Sequence, residues 1–142
     1  MARAIDKMKT NPKTLKKKID KEWSLAVRKK FPRCIVCGAY PTQAHHAIIR
    51  KARNLVTRWM VSNGIGLCFP CHKFKLHGPQ GDKVFLDKYI AIVNDVIPAE
   101  EQQNIIELGD VPVKYNLTQL REILDTFEAA RGRQLIKSME SA

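Results

Sequence analysis

The sequence has no run of apolar residues approaching the eighteen or so that a membrane span needs, and no apolar signal core at its start. That argues against secretion and membrane transport and predicts a cytoplasmic protein with no membrane partner. There are no internal repeats, and no low-complexity tract beyond a lysine-rich start. No cluster of aromatic side chains offers a stacking platform, which disfavours an RNA-binding zinc protein. Nothing suggests a base-reading helix, so sequence-specific DNA recognition is not expected either. Acidic residues are missing altogether from residues 34–81.

What is present describes an ordinary folded chain. Its 142 residues are 44% apolar and 27% charged, enough to bury one core and too apolar for disorder. The net charge of +11 is unevenly spread. Residues 1–33 carry twelve Lys or Arg against three acids, and residues 34–81 carry six basic residues against none. Residues 82–142 carry seven basic and eleven acidic residues. A basic front and an acidic rear orient a protein toward a polyanion, and nucleic acid is the commonest one in cells. A solvated basic tail without a fixed partner is the plainer alternative.

Three segments follow: a basic arm and helix (1–33), a punctuated core (34–81) and a helical rear (82–142), together one compact domain. After the loose first dozen residues, Thr14 is expected to cap a helix with Leu15, Ile19, Trp23 and Val27 on one face, stopped at Phe31 by Pro32. Short strands are expected near 42–49 and 64–68, with a loop between them and a helix beginning near Pro70. In the rear, Phe85, Tyr89, Val93 and Val96 fit one helix, and Pro98 opens a second that Gly109 closes. Leu117, Leu120, Leu124 and Phe127 share a face of a third, with Gly132 near its end. That stripe could cover the core, mediate dimerisation or dock another protein. The fold class is therefore α+β.

The strongest chemical signal is the cysteine spacing. Cys34 and Cys37 form one Cys-x-x-Cys pair, and Cys68 and Cys71 form another. Each pair presents two thiolates from a tight turn, and two such turns complete a tetrahedral zinc site. Gly38 suits the backbone of the first turn. Four thiolates leave no position for water or substrate, so this zinc is structural. The alternatives are a redox-active or disulfide pair, or His72 replacing one of the four cysteines.

All four histidines, His45, His46, His72 and His77, lie between residues 45 and 77. On an extended strand, His45 and His46 point to opposite sides, so one can face a metal while the other faces a substrate. His77, five residues beyond His72, is equally a plain helix-end histidine. Asn63-Gly64 has a plain turn as its alternative reading. Trp59 reads as core, and Arg58 as a residue of interest that a plain phosphate contact would explain equally well.

Taken together, Cys34 to Gly38, Ala44-His45-His46, Asn63, Cys68 to His72 and His77-Gly78 resemble the zinc-braced HNH (ββα-metal) endonucleases. The nearer likeness is to bacteriophage recombination endonucleases of the NinG/Rap type, which share the basic residues before the first cysteine pair and the Thr57-Arg58-Trp59 segment. The likeness covers about residues 20–90. Two positions depart from that subfamily: His45 stands for a glycine and His72 for an asparagine, both in the direction of the wider HNH pattern.

The resemblance implies a small zinc-stabilised ββα-metal core carrying a metal-dependent DNA endonuclease, selective for DNA shape and acting in phage recombination in the host cytoplasm. His46 would be the general base. His45 and His72, with His77 as a third candidate, would hold a divalent ion. Without an acidic ligand, Mg²⁺ would rely on DNA phosphate oxygens, whereas Mn²⁺, Ni²⁺, Co²⁺ or Zn²⁺ suit imidazole. Asn63 would orient the loop carrying His46, with Asn54 as its rival. Arg28, Arg50, Lys51, Arg53, Arg58 and Lys73 would contact DNA. A homodimer is expected if the substrate is a junction, because two nicks on opposite strands need two sites. The competing reading is a non-catalytic, zinc-stabilised DNA-binding or recombination-accessory protein.

Overall fold

The computed structural model describes residues 11–76 and 83–141 and is α+β: mostly helical, with one small two-stranded sheet. Helix α1 runs Pro12–Lys30. Its cap is Asn11, whose Oδ1 accepts from the Thr14 N–H at 2.9 Å, so Thr14 lies inside the first turn. The shift from the expected Thr14 cap has a local cause: Pro12 has no N–H to lose and a φ already set for the first helical position. The helix stops before Pro32 as expected. Residues 1–10, the loose basic arm of the sequence reading, lie outside the described residues.

Strands β1 (Gln43–His46) and β2 (Gly64–Leu67) pair antiparallel, with Gln43 opposite Leu67, His45 opposite Ile65 and His46 opposite Gly64. The connection is more than a loop. It contains the single-turn helix α2 (Leu55–Arg58) and a 3₁₀ turn at Val61–Asn63. Gly66 is required by packing: a Cβ there would lie 2.6 Å from the Phe31 carbonyl oxygen. Beyond β2 a helix begins at Phe69–Pro70, as expected, but it is not regular α-helix. Residues Cys71–Leu76 form a wider π-type turn. The rear is helical as read: α3 (Lys83–Val96), α4 (Ala99–Gly109) and α5 (Leu117–Ser141). Gly132 does not end α5, which continues to Ser141. A glycine inside a helix costs only about 1 kcal/mol relative to alanine, too little to stop a long helix.

The described chain groups into two compact units. One is Ser24–Val113; the other combines the chain up to Trp23 with the chain from Lys114 onward. In the larger unit, Ile65 and Leu67 of β2 are buried with Cys34, Cys68, Cys71, Phe85, Tyr89, Val93 and Ile105. Ile65 and Leu67 of the hairpin thus share a core with residues of α3 and α4, and α3 lies against the turn that carries Cys71. Burying each such aliphatic side chain contributes about 1.5–3 kcal/mol. In the smaller unit Leu15, Ile19 and Trp23 are buried, as are Leu120 and Leu124. The middle of the α5 stripe is therefore internal packing. Arg131 Nη2 meets the buried Glu22 carboxylate at 3.1 Å within the same unit.

Candidate functional site

The two cysteine turns meet. The Sγ atoms of Cys34, Cys37, Cys68 and Cys71 all lie within 4.8 Å of one another, with Cys37 and Cys68 at 3.4 Å. A tetrahedral zinc with sulfur at about 2.3 Å has ligand sulfurs about 3.8 Å apart, so this group could hold a structural metal ion such as zinc. Local backbone chemistry shapes the first turn. Gly38 adopts φ +78°, and its N–H donates to the Cys34 carbonyl at 2.9 Å. A residue with a Cβ is strained in that conformation, which explains glycine directly after the pair. In the second turn the His72 N–H donates to the Cys68 carbonyl at 2.9 Å.

The thiols differ in acidity. Burial works against ionising Cys34, but backbone N–H groups of Cys37, Cys68 and Val36 outweigh it and bring the thiol to about 6. Burial pushes the thiols of Cys68 and Cys71 up. Metal uptake by this cluster must therefore displace protons from the second turn.

The histidines of β1 diverge as an extended strand requires. On one side, His45 Nδ1 faces His72 Nε2 at 3.2 Å. His72 Nδ1 lies 2.8 Å from Gln43 Oε1, an acceptor, so Nδ1 carries the proton and Nε2 turns its lone pair toward His45. Two nitrogens bound to one cation at about 2.1 Å stand about 3.0 Å apart at a right angle and about 3.4 Å apart in a tetrahedron, and this pair falls between. The same separation fits a direct N–H···N hydrogen bond. Tyr89 of α3 lies beside His45, with ring centroids 6.3 Å apart, and burial pushes its phenol up to about 12. His77 lies outside the described residues. Among the described residues, the cysteines are the only group of three or more His, Cys, Asp or Glu donors close enough to share an ion.

On the other side of the strand, His46 Nε2 lies 2.9 Å from the Arg58 carbonyl oxygen. A carbonyl can only accept, so Nε2 holds the proton, and the basic lone pair of the neutral ring is on Nδ1. The backbone around this contact is set by Asn63, which is fully buried. Its Oδ1 accepts from the N–H groups of Ile48 and Ile49 at 2.9 and 3.0 Å. Its Nδ2 donates to the carbonyls of Ile49 and Thr57 at 2.8 and 3.1 Å. Asn63 thus joins the segment after His46 to the helix that ends at Arg58. Asn54 does different work. It caps α2 by accepting from Thr57 N–H at 2.9 Å, and its Nδ2 donates to Leu108 and Val111 carbonyls of the α4 end.

The basic residues are placed unequally. Arg28, Arg50, Lys51 and Lys73 are exposed. Arg58 is half-buried, with its guanidinium 5.7 Å from the ring centre of the buried Trp59. Arg53 is tied to the end of α4: Nε donates to the Gly109 carbonyl at 3.1 Å, and Nη2 meets Asp110 at 2.6 Å. Lys51, Arg53 and Arg58 line a cleft of about 490 Å³ against residues 109–113. No sequence signal pointed to that cleft, because its two walls are more than fifty residues apart.

This chain matches no protein-family model, no curated protein and no solved structure. Among the described residues, no helix is long and apolar enough to cross a membrane.

Proposed function

We propose that this protein is a metal-dependent DNA endonuclease of the zinc-braced HNH class, built on a ββα-metal core, with the four cysteines holding a structural zinc. The observation that carries the reading is the division of labour on β1. His45 Nδ1 is paired with His72 Nε2 at 3.2 Å on one side, and His46 is held in one tautomer by the Arg58 carbonyl on the other.

In this reading the residues act as follows. His45 and His72 would hold one divalent cation, Mg²⁺ or Mn²⁺, with Ni²⁺, Co²⁺ or Zn²⁺ as alternatives suited to nitrogen donors. When bound, that ion neutralises charge on the scissile phosphate and the departing oxygen. His72 is oriented for the task by Gln43, which fixes its ring nitrogens. His46 Nδ1 takes a proton from the attacking water, and the Arg58 carbonyl supports the imidazolium that forms. Asn63 is a positioning residue, keeping the two halves of that contact in register. The resemblance to HNH enzymes implies products with a 5′-phosphate and a 3′-hydroxyl. Six basic and no acidic residues in 34–81 favour a DNA phosphate partner, and shape selectivity for branched or nicked DNA fits the lack of a base-reading helix.

The competing reading, a zinc-stabilised DNA-binding or recombination-accessory protein, is favoured by one observation: a direct His45–His72 hydrogen bond at this distance would need no ion. The two are separated by incubating the protein with linear, nicked, forked and four-way DNA, with and without added Mg²⁺ or Mn²⁺. Metal-dependent cleavage of any of these supports the nuclease. Binding without cleavage under every metal condition supports the accessory protein.

A further inference from the structure

Two phenylalanines on the second cysteine turn are exposed where apolar side chains are normally covered. Phe69 is 50% and Phe74 63% exposed, and their rings meet edge to face with centroids 5.6 Å apart. Phe69 and Pro70 are the two residues between Cys68 and Cys71, so the turn that carries the first ring is anchored at both ends by the cysteine cluster. Phe74 follows on the turn Cys71–Leu76, flanked by the exposed Lys73 and Lys75. Neither ring belongs to the hairpin core, which is filled by Ile65, Leu67 and the residues of α3 and α4. Single exposed apolar side chains are ordinary, but two rings in contact on one anchored turn form a contiguous apolar patch, the kind of feature that marks an interaction site.

The surroundings of the rings indicate its chemistry. The pair stands among cations in a stretch with no Asp or Glu between residues 34 and 81. An apolar protein surface would gain nothing from those lysines, whereas an unpaired DNA strand has flat, π-faced bases on a backbone of phosphates. Aromatic side chains interleaved with lysine suit that combination. We infer that Phe69 and Phe74 form a stacking site for unpaired bases of single-stranded or branched DNA, with Lys73 and Lys75 on the adjoining phosphates. The inference rests on the DNA-directed reading above and extends it: it supplies the device by which a strand that has left the duplex is distinguished from paired DNA.

The test is binding rather than cleavage, so it stands apart from the nuclease question. Full-length protein, with no divalent metal added, is titrated into a fluorescent single strand, a fork and a duplex of equal length at one salt concentration. The Phe69→Ala/Phe74→Ala variant is expected to bind the single strand and the fork about tenfold or more weakly, given the typical worth of base–aromatic stacking. Its affinity for duplex should stay within about twofold, and its salt dependence should be unchanged because no cation is removed. The Phe69→Trp/Phe74→Trp variant should restore strand binding, whereas Phe69→Leu/Phe74→Leu should not. Equal loss on duplex and single strand, unchanged binding throughout, or rescue by leucine would overturn the inference. A wild-type dimer in sedimentation that the alanine variant dissociates, with strand binding unchanged, would also overturn it and assign the rings to a second copy of this chain. Failure of cleavage with this binding pattern intact would count against the nuclease alone.

Discussion

The sulfur cluster and the imidazole pair sit on the same small hairpin unit, yet they are built to opposite specifications. The cluster brings four donors of one kind from two tight turns, with Cys34, Cys68 and Cys71 buried. The His45–His72 pair brings two donors from a strand and a turn, both half-buried. Four soft ligands saturate a tetrahedral ion and leave it nothing to do but hold the chain. Two imidazoles leave most of a coordination sphere to water or phosphate oxygen. In the proposed reading, donor count, more than donor type, is what would separate scaffold from chemistry.

The contrast is most exposed to test at adjacent residues. Cys71→Ser should remove bound zinc and unfold the Ser24–Val113 unit, since apparent zinc binding in small cysteine sites is worth on the order of 10 kcal/mol. His72→Ala should leave the melting temperature within a few degrees of wild type and eliminate metal-dependent cleavage. Circular dichroism and zinc content read the first; a cleavage assay reads the second. A folded, zinc-free Cys71→Ser protein would erase the distinction between the two sites.

On the other side of the strand, His46→Ala should lower the cleavage rate by about 10²–10⁴, the usual worth of a general base, with DNA affinity unchanged. Full activity in that variant would reduce the His46 face of the strand to a scaffold. Asn63→Ala should cost about 3 kcal/mol or more in chemical denaturation. Two N–H groups and two carbonyls lose a buried partner, at about 1–3 kcal/mol for each group left unsatisfied.

Proton release sharpens the picture of the cluster itself. Cys34, lowered to about 6, is largely thiolate at neutral pH, while Cys68 and Cys71, raised by burial, are thiols. Zinc uptake near neutral pH should liberate protons from the second turn, and apparent affinity should rise with pH through that range. Calorimetry in buffers of different ionisation enthalpy measures the count, and a proton-neutral uptake would contradict the assignment. The smallest effect is expected at Arg53→Ala. It removes an exposed ion pair with Asp110 and one hydrogen bond to the Gly109 carbonyl, so stability should fall by about 1–2 kcal/mol.

Much of this arrangement was legible in the residues, but not all of it, and the gaps have a common cause. Cys-x-x-Cys spacing, the α1 stripe and the opposite faces of His45 and His46 are local relations, set by turn and strand geometry within a few residues. Asn54 and Asn63 were indistinguishable as types in a connecting segment. Only tertiary placement decides that one caps α2 and meets α4 while the other spans the hairpin. The Arg53–Asp110 contact joins positions 57 residues apart, and no periodicity reports it. Gly66 looked like an ordinary strand residue, although Phe31 presses against it. The expected lack of an aromatic stacking platform is corrected by the exposed, touching rings of Phe69 and Phe74, which escape a sequence reading because apolar residues are taken as core by default.

The proton on His46 is assigned by a main-chain oxygen. Side chains at position 58 can therefore be exchanged for others without altering which ring nitrogen is basic. Evolution, or an engineer, could retune what Arg58 does toward a ligand while the imidazole opposite keeps its tautomer. The tautomer becomes vulnerable only when the peptide unit itself is displaced, and the buried amide at position 63 is what guards against that.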